Sequence, residues 1–137
     1  MAEASPGVRE RPLSPHTQVW RWHVTMAASI LNRAAGVALY AGWLIFGGWA
    51  LALASGPDAY GAYASVLVSI PGQIVLFGVA LALFYHLAAG VRHLFFDAGK
   101  GFAPRKADAS AIAAFVFAVV AAVALFVVAH LGQGSAS

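Results

Sequence analysis

The stretch LALFYHLAAGVRHLFFDAG, residues 81–99, decides how this chain is read. It is apolar enough to lie in a bilayer, yet it carries His86, Gly90, His93 and Asp97 at positions i, i+4, i+7 and i+11. In a helix of 3.6 residues per turn that spacing returns to one face, so two imidazoles, a glycine and a carboxylate look toward a common partner. Ionisable groups at membrane depth point to function.

Outward from this stretch, the whole chain has a membrane character. Of its 137 residues 61% are hydrophobic and 9% charged, and its mean hydropathy is +0.79, far above that of a soluble domain. No Asp, Glu, Lys or Arg occurs between Arg33 and Asp58, between Asp58 and Arg92, or after Asp108. Each gap exceeds the roughly 20 residues that cross a bilayer as a helix. The expected fold is therefore all-α and integral to the membrane. Spans are expected at about 25–54, 66–96 and 110–131, behind a polar arm over residues 1–24, so that 25–137 form the transmembrane domain. Asp108 or Ser110 is expected to N-cap the third span. Pro71 and Gly72 fall near the outer start of the second and are given no function.

Charge sets the expected orientation. The net charge of +3 is too small to indicate nucleic acid. Arg9, Arg11 and Arg21 precede the first span, and Lys100, Arg105 and Lys106 separate the second from the third, while the loop around Gly56, Pro57 and Asp58 has no basic residue. Basic segments stay in the cytoplasm, which puts the N-terminus inside and the LGQGSAS tail outside. The leading MAEASPGVRERPLSPH lacks the apolar run and cleavage site of a secretory signal. Trp20 and Trp22 around Arg21 suit the headgroup layer. With no cysteine in the sequence, any metal held by this chain needs histidine or carboxylate.

Histidine in a membrane helix is often an interhelical hydrogen-bonder, but four polar or small residues on one stripe suggest more. His86 lies about 16 Å from the Asp97 end, well inside a hydrocarbon core about 30 Å thick. Gly90 leaves room for a flat macrocycle such as haem, with one imidazole reaching its iron. Two histidines on the same side of one helix cannot straddle one iron. His130 belongs near the opposite surface, and His16 and His23 precede the membrane. A second axial ligand would then come from a partner subunit.

A second constellation opens the first span. In SILNRAAG, Ser29, Arg33 and Gly36 share a face at i, i+4 and i+7. Arg33 either snorkels to the headgroups or binds a ligand. A serine hydroxyl donates to a quinone carbonyl, and a guanidinium polarises the ring or pairs with a haem propionate.

RPLSPH, SILNR and HLAAGVRHLFFDAG, in that order across three spans, resemble the succinate dehydrogenase cytochrome b family, the larger membrane anchors of succinate:quinone oxidoreductases. The resemblance covers nearly the whole chain. Its second-span signature is matched from His86 to Asp97. Its first departs from the family pattern: Asn32 stands where His usually precedes the arginine, and Ala35 where a hydroxyl is usual. The resemblance implies that His86 is an axial ligand of haem b and the haem iron. It further implies that His93, Arg33 and Asn32 face the propionates, with Asp97 in support, and that Ser29 and Arg33 line a ubiquinone site near the inner surface. It implies a flavoprotein, an iron-sulfur protein and a second small anchor as partners in a shared haem-binding bundle. A bacterial inner membrane is the expected location. The rival readings are a fumarate reductase-type or other small cytochrome b anchor and, in a different class, a non-redox transporter or assembly protein using the stripe as a relay.

Overall fold

In a computed structural model, which describes residues 12–134, the chain forms a short 3₁₀ turn at His16–Val19 and four α-helices. These are α1 (Val24–Ala54), α2 (Pro57–Val68), α3 (Ile70–Asp97) and α4 (Pro104–Gly134). Three of them, α1, α3 and α4, are long and apolar enough to cross a membrane. At 1.5 Å per residue, the 31 residues of α1 extend about 46 Å, so its ends reach past the hydrocarbon into the headgroups. Arg9 and Arg11 lie outside the described residues.

The second span differs from its expected bounds. It begins at Ile70 rather than near Val66, because the chain breaks at Ser69 and the preceding 12 residues form the separate helix α2. The break is built locally. Ser69 is extended, at φ −62° and ψ 157°. Its Oγ donates to the Val66 carbonyl at 2.6 Å and accepts from Gly72 N at 3.3 Å. Pro71 follows in the first turn, where a missing N–H costs nothing. Gly72 is packed so tightly that a Cβ there would overlap the carbonyl oxygens of Val66 and Leu67. Gln73 Nε2 donates to the Val68 carbonyl at 2.9 Å and closes the corner. Pro71 and Gly72 therefore have a structural task.

The helix that contains the third expected span starts at Pro104, ahead of residue 110, so neither Asp108 nor Ser110 is its N-cap. The Ala103 carbonyl instead takes the first bonds, from Lys106 N at 2.8 Å and Ala107 N at 2.9 Å. Asp108, already inside the helix, approaches His23 Nε2 at 3.5 Å. His23 is the N-cap of α1, accepting from Thr25 N through Nδ1 at 3.4 Å. The start of α1, the end of α3 and the start of α4 thus share one end of the bundle.

α3 packs against each of the other three helices. Its core is made of small side chains: Ala35, Ala82, Ala89, Ala114 and Ala118 surround Tyr85. In lipid there is no apolar exclusion to drive helices together, and close backbone approach with many dispersion contacts takes its place. Tyr85 donates its hydroxyl across to the Ala28 carbonyl of α1 at 2.9 Å. Edge-on pairs of Phe77 with Phe126 and of Phe84 with Phe117 fasten α3 to α4. The large apolar residues point outward instead, Val37 at 73% exposure and Leu131 at 69% among them. Such a surface suits lipid or other membrane helices.

Candidate functional site

His86 sits where α3 crosses α1. Its Nδ1 lies 3.3 Å from the backbone oxygen of Asn32, a long hydrogen bond. A carbonyl oxygen only accepts, so Nδ1 is the donor, and in the neutral ring Nε2 is then the nitrogen with the lone pair. The crossing is close because Gly36 stands one turn beyond Asn32. A Cβ at that position would be 3.6 Å from His86 Cε1. His93 and His130 behave differently, each placing Nδ1 on the carbonyl four residues back in its own helix, Ala89 at 2.6 Å and Phe126 at 2.8 Å. Of these three, only His86 is oriented by a second helix.

The ring of His86 is exposed on the flank of the chain. Beside it Gly90 offers open space, with nothing within 4 Å of where its Cβ would be. Back along α3, toward its N-terminus, the same flank opens into an apolar groove of about 280 Å³ walled by Leu39, Trp43, Phe46, Val79 and Leu83. An imidazole held by a backbone carbonyl, an unobstructed glycine and a dry groove fit one side of a haem. Among the described residues no cluster of three His, Cys, Asp or Glu could hold a metal ion.

The first-span residues lie along the same part of α1. Ser29 and Arg33 are exposed, on the stripe that continues through Gly36 toward His86. Asn32 does two things. Its carbonyl receives the His86 ring, and its half-buried side-chain Oδ1 has no hydrogen-bond partner. Oxygen and nitrogen of an amide exchange by a flip, so the same position can present an NH₂ to an acceptor such as a carboxylate. That donor chemistry fits a propionate.

His93, Arg92 and Asp97 are not brought to His86. His93 is two turns further along α3, its ring edge-on to Phe96 at 6.1 Å. Arg92 turns the other way and ties α3 to α4. Its Nε donates to Ser110 Oγ at 2.9 Å, its Nη2 donates to the Ala107 carbonyl at 3.1 Å, and its guanidinium lies 4.5 Å from the Phe96 ring centre. The sequence alone gives Arg92 no role, since its partners belong to another helix 15–18 residues away. Asp97 ends α3, exposed to solvent.

Comparison with known proteins gives a consistent result. Residues 8–126 match the family described as succinate dehydrogenase/fumarate reductase transmembrane subunit. The chain is 41% identical over 128 residues to the succinate dehydrogenase cytochrome b556 subunit of Paracoccus denitrificans, covering 93% of this chain and 97% of that one. It is 37% identical over 117 residues to the mitochondrial cytochrome b560 subunit of Sus scrofa, covering 84% and 69%. It is 39% identical over 93 residues to the cytochrome b556 subunit of Rickettsia felis, covering 68% and 72%.

Proposed function

The chain belongs to the succinate dehydrogenase/fumarate reductase transmembrane subunit family, and from that premise we propose that it is a haem b-binding anchor which helps form a ubiquinone-reduction site. The observation that carries this reading is the His86 ring reaching across to the Asn32 carbonyl beside Gly36. An axial ligand needs its second nitrogen fixed by a hydrogen bond, so that the ligating lone pair is both present and aimed. That bond does so without charge, and His86 Nε2 would hold the iron from this side.

A second small anchor subunit would supply the other ligand. No other histidine of α1, α3 or α4 is placed to supply it, and the exposed flank around His86 is the surface such a subunit would cover. Arg33 and Asn32 would face the propionates, one with charge and one with an amide donor; His93 lies further along the same edge. When bound, haem b supplies a one-electron store next to the quinone.

Ser29 and Arg33 act on the quinone itself. The Ser29 hydroxyl donates to one carbonyl oxygen, and the Arg33 guanidinium draws electron density toward the ring oxygens as they gain charge. Both stand in the first turns of α1, near the basic end of the bundle, which we assign to the cytoplasm. Protons for quinone reduction can enter there from water without crossing the membrane. Electrons come from a flavoprotein that oxidises succinate, through an iron-sulfur protein docked at that end. This chain performs no succinate chemistry. The names of the relatives favour succinate oxidation over a fumarate reductase-type anchor, and the location is a bacterial inner membrane with the C-terminus in the periplasm.

Purification through a tag on this chain tests the assembly. The expected result is co-purification of the flavoprotein, the iron-sulfur protein and one small anchor, with one haem carrying two histidine ligands per copy of this chain. Haem bound in full by the chain alone would contradict it.

A further inference from the structure

A second cavity, apart from the groove beside His86, lies on the opposite side of α3. It has a volume of about 590 Å³ between α3 and α4. Leu87, Val91, Phe95 and Phe117 form its apolar body, and Lys100 and Lys106 line its mouth. The backbone puts those lysines there. α3 ends in a Schellman motif, with Gly99 at φ +73° donating to the Phe96 carbonyl at 2.8 Å and Lys100 N donating to the Phe95 carbonyl at 2.9 Å. The chain then reverses at once into α4, which brings Lys106 to the same rim. Neither Asp97 nor Asp108 lines the cavity. Arg92 in its wall already donates to Ser110 and Ala107, and among the described residues no partner is seen for the two lysine side chains.

We propose that this groove holds an anionic phospholipid, with its acyl chains along Leu87, Val91, Phe95 and Phe117 and its phosphate at Lys100 and Lys106. Two features select that occupant over an apolar helix. The body is apolar, between the C-terminal part of α3 and the N-terminal part of α4. Its cations stand at the helix termini, Lys100 just after α3 and Lys106 in the first turn of α4, where a spanning helix meets the headgroup layer. A phospholipid has this same division of chain and charge, and basic pockets between transmembrane helices recognise anionic headgroups. The inference is independent of haem and quinone binding.

The test uses the assembled complex in membranes, photolabelled with diazirine-bearing phosphatidylglycerol or phosphatidylcholine, with cross-links mapped to peptides covering residues 87–95 and 113–117. Phosphatidylglycerol is expected to label both segments. Lys100→Gln with Lys106→Gln should lower that labelling about tenfold or more, Lys100→Arg with Lys106→Arg should retain it, and Ala113→Phe, which fills the trough, should abolish it. Glycerol phosphate should not compete. Equal labelling by phosphatidylcholine, unchanged labelling in the glutamine variant, displacement by glycerol phosphate, or protection of both segments by another subunit would each overturn the proposal.

Discussion

His86 Nδ1 and the Asn32 carbonyl oxygen lie 3.3 Å apart across the α1–α3 crossing, joining residues 54 positions apart in the chain. The contact fixes which imidazole nitrogen is free. It also couples the histidine to the backbone of the helix that carries Ser29 and Arg33, so the proposed haem ligand and the proposed quinone residues share one support.

The space at Gly36 should govern that contact. A methyl group there meets His86 Cε1 at an ordinary 3.6 Å, so Gly36→Ala should leave haem content near wild type. Gly36→Ile adds a branched side chain that must displace the ring. Haem per complex is expected to fall several-fold in the second variant only, as read by the haem absorbance to protein ratio.

Ser29 and Arg33 should matter for quinone and not for succinate. Removing a hydrogen bond to a charged or developing charge costs about 1.5–3 kcal/mol, which is about tenfold or more in rate. Arg33→Leu should lower succinate:ubiquinone reductase activity by about that factor and Ser29→Ala by less. Electron transfer from succinate to a water-soluble dye, which bypasses the membrane site, should be unchanged. A fall in both activities would place the defect upstream.

Arg92 and Ser110 should contribute to stability alone. Ser110→Ala leaves the Arg92 Nε donor without its acceptor on α4, at a cost of about 1 kcal/mol. Arg92→Leu also removes the bond to the Ala107 carbonyl and the contact with Phe96 and should cost more. Thermal inactivation of the complex should shift downward in that order, while the haem spectrum of the surviving fraction stays unchanged.

The glycines separate by what surrounds them. A Cβ at Gly72 would run into backbone oxygens, which cannot move independently, whereas at Gly42 it would lie 2.8 Å from Val79 Cγ1. Valine in a helix has one favoured rotamer and yields little. Gly72→Ala should destabilise by at least about 2 kcal/mol and Gly42→Ala by about 1–3 kcal/mol. Gly61→Ala, where nothing lies within 4 Å, should be neutral or stabilising by up to about 1 kcal/mol. Detergent-denaturation midpoints check this order.

The three spans were legible because long charge-free runs leave a helix few alternatives in lipid. The corner at Ser69 was not. Val66 to Ser69 continue the apolar pattern of the next helix, and the break shows only in Ser69 and Pro71 together, a capping residue followed by a first-turn proline. The start of α4 at Pro104 is hidden for a related reason: Asp108 and Ser110 are the residues with the look of a cap, while the first bonds of the helix go to the Ala103 carbonyl. At the candidate site, His86, Ser29 and Arg33 stood out as polar groups in apolar surroundings. The acceptor for His86 did not, because a backbone carbonyl leaves no mark in a sequence. Asn32 drew notice for its amide, and its carbonyl proved to be the atom in contact. Arg92 was invisible as a fastener since Ser110 is unremarkable until α3 and α4 are side by side.

The most direct test is a reduced-minus-oxidised optical spectrum of the assembled complex carrying His86→Ala, beside wild type and His93→Ala. The account predicts a b-type haem signal in wild type and in His93→Ala, and its loss or conversion to a single-ligand spectrum in His86→Ala. An unchanged bis-histidine signal in the His86→Ala complex would contradict it.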